Sequence, residues 1–226
     1  RETIPANPRI IKAIFPLFDV KNKTILEVGS GSGRNSVYLT EMGTDCYLLD
    51  YVQAPLNIAE KIARQNGVKI RTFKEDAKTI PFEDDSFDLV FSQGFIEHFT
   101  DPEIFLKEQV RVLKPEGCLY IDIPQKYHVY TLIKHALMAL SKWRPGWETE
   151  FTVSQLKNLV SEIGLQTRHV VGDWSNPLFI LKIIYVVCGK NWHTKEFVLN
   201  GKKQTHFLKE PKAQDLLSIL FIILEL

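Results

Sequence analysis

The sequence predicts an α/β fold: a doubly wound, mostly parallel seven-stranded sheet with helices on both faces and a helical lid insert. Three observations carry that expectation. Short apolar runs alternate with amphipathic ones as far as about residue 125. A glycine-rich turn stands between the first strand-like run and the first helix-like one. Strand, helix, strand, helix at this pitch implies right-handed crossovers, which cover a parallel sheet on both faces.

The elements follow in order. Thr24–Val28 (TILEV) reads as a buried strand. Arg34–Met42 is a helix stopped by Gly43, and Cys46–Asp50 (CYLLD) is the second strand. Ala54–Asn66 places Leu56, Ala59, Ile62 and Ala63 at helical spacing before Gly67. Lys69–Phe73 and Phe87–Phe91 are the third and fourth strands. Pro102–Leu113 is a helix with Ile104, Phe105, Val110 and Leu113 as its apolar side, and Cys118–Ile123 is the fifth strand. The second half is less regular. Tyr127–Lys142 reads as a helix carrying Leu132, Ile133, Ala136, Leu137 and Leu140. Thr152-Val153-Ser154-Gln155 matches a capping box, which starts a helix over Val153–Ile163. Gln166–Val171 and Ile219–Leu224 complete the strands, while Pro177–Cys188 is apolar on too many sides for periodicity to choose helix or strand.

Composition narrows the function. Lys and Arg total 28 against 27 Asp and Glu, a net charge of +1, so nucleic-acid binding is not expected. Cys46, Cys118 and Cys188 are far apart and form no CxxC pair, so neither a zinc site nor a disulfide framework is expected, and no metal is assigned. Reduced thiols fit a cytoplasmic setting. Arg1 stands where a Met would open a chain, the mark of a trimmed N-terminus, so an upstream leader stays open. The longest apolar stretches, Leu178–Cys188 and Ile219–Leu224, fall short of the roughly 18–20 residues of a transmembrane segment.

The sharpest motif is Glu27-Val28-Gly29-Ser30-Gly31-Ser32-Gly33, at the turn from first strand to first helix. Glycines there let backbone approach a ligand closely. A dinucleotide fingerprint needs a third Gly at position 34, which is Arg34, and the Walker Lys-Ser/Thr is missing. The acid Glu27 suits an ammonium or sulfonium better than a pyrophosphate. Asp50 ends the second strand, where a carboxylate can accept from a ribose diol, and the Tyr51 ring can lie on an adenine. Asp76 and the Ala77 amide can address the adenine edge. Each has a plainer alternative: Asp50 as a helix N-cap, Asp76 as part of an acidic turn. Glu83-Asp84-Asp85 reads as a solvated turn.

Together ILEVGSGSG, YLLDY, KEDAKTIPFEDDSFDLVFSQGFIEHF and VLKPEGCLYIDIP resemble the class I S-adenosylmethionine-dependent methyltransferases, and within them the small-molecule group typified by ubiquinone and menaquinone biosynthesis enzymes. The resemblance covers about residues 20–124 and more weakly 150–174. It implies a Rossmann-like fold and S-adenosyl-L-methionine as cofactor, leaving S-adenosyl-L-homocysteine. Glu27 and Gly29, Ser30, Gly31 and Gly33 would then hold the methionine part, Asp50 the ribose, and Tyr51, Asp76 and Ala77 the adenine. Ser92, Gln93 and Gly94 would border the sulfonium. On this reading residues 1–226 form one domain, with a cofactor-binding core over 20–124, a substrate lid over 125–150, and residues 151–226 completing the sheet.

Transfer of a methyl group is an in-line displacement needing proximity and orientation, and a base only if the acceptor atom must lose a proton. His98 is the candidate base, beside Glu97, although neighbours on a helix do not face each other. Its alternative is a structural histidine. Trp143, Trp147 and Tyr127 line an acceptor pocket or pack in the lid, and Leu178–Cys188 serves core or dimer packing or touches a membrane or greasy substrate. The acceptor is expected to be a small molecule, methylated on O, N or C, with the apolar second half tilting toward a lipid-like, quinone-like or glycan-precursor compound. A homodimer and a position peripheral to the membrane stay open. The rivals are a non-catalytic cofactor-binding subunit and a nicotinamide-dependent oxidoreductase.

Overall fold

The computed structural model describes residues 13–127, 129–143, 148–173, 196–199, 202–205 and 219–225. Five parallel strands organise them: β1 (Thr24–Val28), β2 (Asp45–Asp50), β3 (Arg71–Lys74), β4 (Phe87–Gln93) and β5 (Leu113–Ile123). Their order in the sheet is β3-β2-β1-β4-β5. The chain therefore winds outward from β1 through β2 and β3, then returns to the other side of β1 as β4. A crevice opens at that reversal, beyond the carboxyl ends of β1 and β4.

The crossovers are α1 (Arg34–Glu41), α2 (Gln53–Asn66) and α3 (Pro102–Arg111), with a 3₁₀ turn at Ile96–His98 after β4. Alternate residues of β1, β2, β4 and β5 enter opposite cores, as the two-residue period of a strand requires. Leu26, Leu49, Val90, Leu119 and Ile121 pack with Phe105 and Leu106 of α3. Ile25, Leu48, Leu89, Phe91 and Tyr120 pack with Leu39 of α1 and with Leu56 and Ala59 of α2. Burial on both faces is why these strands read as unbroken apolar runs rather than as alternating ones.

Beyond β5 the described residues form α4 (Val129–Ala139), α5 (Val153–Glu162), β6 (Gln166–Asp173), a hairpin of β7 (Glu196–Leu199) and β8 (Lys202–Thr205), and β9 (Ile219–Glu225). β9 runs antiparallel to β5 and β6 antiparallel to β9. The capping box of α5 forms: the Gln155 amide donates to Thr152 Oγ1 at 3.1 Å and the Thr152 amide to Gln155 Oε1 at 2.9 Å. Residues 177–189, which periodicity leaves ambiguous, lie outside the described residues, as does Trp147.

Two helices depart from their apolar patterns. In α3, Ile104 is 42% exposed, and Phe105, Leu106 and Gln109 form the buried face. In α4 the reversal is fuller. Leu132 and Leu140, the latter just past its end, are 62% and 64% exposed, while Thr131 and Lys134 are 2% exposed. A helix with polar groups inward and leucines outward must satisfy those groups with partners of its own.

Arg111 explains the acidic turn. Its guanidinium donates to the Ile80 and Phe82 carbonyls at 2.8 and 2.9 Å, to Asp84 at 2.7 Å and to Glu108 at 2.9 Å. The solvated-turn reading of Glu83-Asp84-Asp85 thus gains an anchor, and the loop after Asp76–Ala77 is clamped to α3.

Candidate active site

The glycine turn is tied to the tip of β2. The Gly29 and Ser30 amides donate to the Leu49 carbonyl at 2.9 and 3.1 Å, and the Gly31 amide donates to Asp50 Oδ2 at 2.8 Å. Two of its glycines serve different ends. A Cβ on Gly33 would stand 2.1 Å from Leu48 Cδ2 and 2.9 Å from Ala59 Cβ, so that glycine lets α1 and α2 close on the sheet. A Cβ on Gly31 would meet nothing within 4 Å, although its φ is +51°. The space over Gly31 is open, and close approach of a ligand to bare backbone is what it permits.

That space is a cavity of about 380 Å³ lined by Glu27, Ser30, Gly31, Arg34, Asn35 and Gln93. Glu27 is 4% exposed and burial pushes its carboxyl up to about 7, although Ser36 Oγ donates to it at 2.5 Å. Ser30 Oγ is buried without a hydrogen-bond partner among the described residues. A buried acid and an unpartnered hydroxyl over open backbone suit the ammonium and carboxylate of an amino acid. They do not suit a pyrophosphate.

Gly29 also lines a second cavity, of about 420 Å³, with Asp50, Tyr51, Asp76, Ala77, Phe95 and Phe99. Both Asp50 oxygens accept backbone hydrogen bonds, Oδ2 from Gly31 and Oδ1 from Val52 at 2.9 Å. Asp50 does not cap α2, whose N-cap is Val52. Each oxygen keeps a lone pair, so the carboxylate is oriented and still able to accept from a diol. Asp76 Oδ1 accepts from the Lys78 amide at 2.9 Å, and Tyr51 is 72% exposed at the rim. Phe95, Phe99 and Phe105 pack on one another as the apolar wall. Sequence reasoning missed Phe95 and Phe99 and gave Phe105 only as part of the apolar side of its helix; the signal for the first two was the phenylalanine-rich stretch directly after β4.

The other expected residues are distributed as follows. Gln93 Oε1 accepts from Asn35 at 3.1 Å, and its Nε2 donates to the buried Asp122 at 2.8 Å. Ser92 is buried with an unpartnered Oγ, and Gly94 stands exposed at the strand tip with φ +59°. Gly33, Ser92 and Gly94 border neither cavity. His98 is exposed and also borders neither, while its neighbour Glu97 is 3% exposed. A third cavity of about 430 Å³ lies between α4 and residues 148–150. There the buried Lys134 ammonium meets Glu148 at 3.3 Å and Glu150 at 2.7 Å, and His135 Nε2 lies 2.6 Å from Glu150. Of the three aromatics expected here, Trp143 is partly buried and Tyr127 is 64% exposed.

Comparison with known proteins adds to this geometry. A methyltransferase-domain family model matches residues 26–121. A ubiquinone biosynthesis O-methyltransferase from Parvibaculum lavamentivorans is 24% identical over 172 residues, 74% of this chain and 67% of that protein. The protein of the same name from Coxiella burnetii is 25% identical over 177 residues, 76% of each chain. Among solved structures, a Thermotoga maritima SAM-dependent methyltransferase described as a possible histamine N-methyltransferase superposes with a TM-score of 0.64. It is 19% identical, covering 95% of this chain and 86% of that one. A SAM-dependent methyltransferase from Aquifex aeolicus has a TM-score of 0.57 at 22% identity, covering 75% and 85%.

Proposed function

Because the chain belongs to the class I S-adenosylmethionine-dependent small-molecule methyltransferases, we propose that it methylates an oxygen of a small, quinone-like aromatic acceptor by in-line displacement. The carrying observation is the pair of cavities that meet at Gly29, one beneath a buried acid and one between two strand-tip acids. The choice of oxygen is supported by the relatives named as O-methyltransferases.

The cofactor supplies an activated methyl group; the protein supplies position. Glu27, Ser30 and the backbone at Gly29 and Gly31 hold the amino-acid end, with Gly33 setting the turn. Asp50 accepts from the ribose, Tyr51 covers the base, and Asp76 with the Ala77 amide reads its edge. Gln93, which lines the cavity beside Glu27, borders the reacting centre, with Ser92 and Gly94 flanking it at the tip of β4. Residues 20–124 are the cofactor core, residues 125–150 the lid over the acceptor, and the strands after residue 150 bring the sheet to seven. His98 is exposed and lines neither cavity. Among the described residues no helix is long and apolar enough to cross a membrane.

The test is turnover. Purified protein given radiolabelled S-adenosylmethionine and a 4-alkylcatechol should form S-adenosylhomocysteine and a monomethyl ether. Label appearing only with amine acceptors would overturn the choice of oxygen. Binding of S-adenosylhomocysteine without turnover of catechols, amines or cell extract would favour the non-catalytic reading.

A further inference from the structure

The 3₁₀ turn after β4 carries a buried carboxyl that the reading above leaves unused and that, like His98, lines none of the three cavities. Glu97 sits in the 3₁₀ turn after β4, 3% exposed, and its Oε2 has no hydrogen-bond partner among the described residues. Its Oε1 lies beside bare backbone: a Cβ built on the exposed Gly94 would be 3.6 Å from it. An unpartnered buried carboxyl oxygen is costly, so its persistence in a folded site points to a ligand group that completes it. The Glu97 carbonyl accepts from the Thr149 amide at 2.6 Å, which ties this turn to the wall of the third cavity.

We propose that Glu97 is the general base of the methyl transfer and receives the acceptor's hydroxyl proton at the tip of β4. The proposal rests on the O-methylation reading and names a residue that it lacks. In the step, the acceptor oxygen gives its proton to a Glu97 carboxylate oxygen and its electron pair to the methyl carbon. The carbon–sulfur bond breaks with its pair left on sulfur. The acceptor becomes a methyl ether, the sulfonium charge is discharged, and Glu97 is left as a neutral acid that returns the proton to water.

The surroundings suit the task. Burial, then the charges of Asp122 on β5 and Glu148 beside α4, push the Glu97 carboxyl up to about 8, against the opposing pulls of its own backbone amide and of Lys134 on α4. On its own turn, His98 is exposed. A carboxylate of that basicity takes a phenolic proton far more readily than an ordinary one, and a base works best with its pKa near the operating pH. A ligand cation at the strand tip favours the ionised form, so cofactor binding would prepare the base.

The experiment compares wild type, Glu97→Gln, Glu97→Asp and His98→Ala, with the 4-alkylcatechol as acceptor. Isotope-edited infrared on glutamate-labelled protein follows the neutral carboxyl of Glu97, identified by its loss in Glu97→Gln. That carboxyl should titrate at about 8 and move to lower pH with S-adenosylmethionine but not with S-adenosylhomocysteine. The kcat of wild type should rise with pH along the same limb. Glu97→Gln, which copies the neutral acid and so should keep the wild-type melting temperature, should lose about 10²–10⁴-fold in kcat and lose the limb. Its KM should change by less than about threefold. Glu97→Asp should restore part of the rate, and His98→Ala should keep the limb. A limb retained in Glu97→Gln, or abolished by His98→Ala alone, overturns the proposal. A carboxyl that titrates in the ordinary range or ignores the sulfonium charge overturns it too. If wild type ignores the catechol while the carboxyl responds to the sulfonium, the acceptor reading falls and the placement of Glu97 stands.

Discussion

The cofactor crevice and the α4 cavity solve the problem of placing polar groups in opposite ways. In the crevice, the carboxylates proposed to hold the cofactor sit at strand tips and are oriented by backbone. Asp50 takes the Gly31 and Val52 amides, Asp76 takes the Lys78 amide, and Gly29 hangs on Leu49. Around α4, charged side chains hold one another: Lys134 between Glu148 and Glu150, Glu150 with His135. A backbone-oriented site is insensitive to any one distant side chain. A site made of mutually compensating charges depends on every member.

The largest effect therefore belongs to the second region. Lys134→Met removes the ammonium that meets Glu148 and Glu150, and it should destabilise the protein by about 3–5 kcal/mol, read as a lower chemical-denaturation midpoint. A loss under about 1 kcal/mol would show that water enters and relieves the carboxylates.

Next comes the open backbone. Gly31→Val should lower S-adenosylhomocysteine affinity at least about 100-fold in calorimetry, equivalent to about 3 kcal/mol, with the far-ultraviolet spectrum unchanged. Unchanged affinity would mean that no ligand occupies the space over Gly31.

Asp50→Ala should weaken the same binding by roughly 1.5–3 kcal/mol, the scale of hydrogen bonds to a charged group. A negligible loss would remove the ribose contact and leave Asp50 as a strut for the glycine turn.

The smallest effect is a pH dependence of two signs. The Glu27 carboxyl is raised from 4.5 to about 7, so the folded, ligand-free protein prefers it neutral. Its contribution to stability is full below 4.5 and is lost as pH rises through about 7. Affinity for the cofactor's ammonium moves the other way and should rise about tenfold between roughly pH 6 and 8. Glu27→Gln should flatten both curves. Parallel curves in wild type would separate Glu27 from the ammonium.

The same contrast explains what was readable beforehand. The bounds of β1 fall where its apolar run places them, and the turn, Asp50 and Asp76 are local signals whose position follows from strand, turn and helix in sequence. Strand-tip chemistry is legible because topology alone brings the tips together. The α4 region was not. Its leucines suggest an apolar inner face, yet Lys134 and Thr131 are inside, because partners 14 and 16 residues away at Glu148 and Glu150 make burial of the lysine tolerable. No periodicity carries that pairing. Ile104 misleads for a related reason: the face of α3 is set by contact with the sheet, and Gln109 is taken inward with Phe105 and Leu106.

The most direct measurement is a calorimetric titration of the unliganded protein with S-adenosylhomocysteine and, separately, with NADH. One mole of the thioether nucleoside should bind per chain and the dinucleotide should give no heat. Binding of NADH with none of S-adenosylhomocysteine would contradict the account, because the crevice beside Glu27 would then hold a diphosphate.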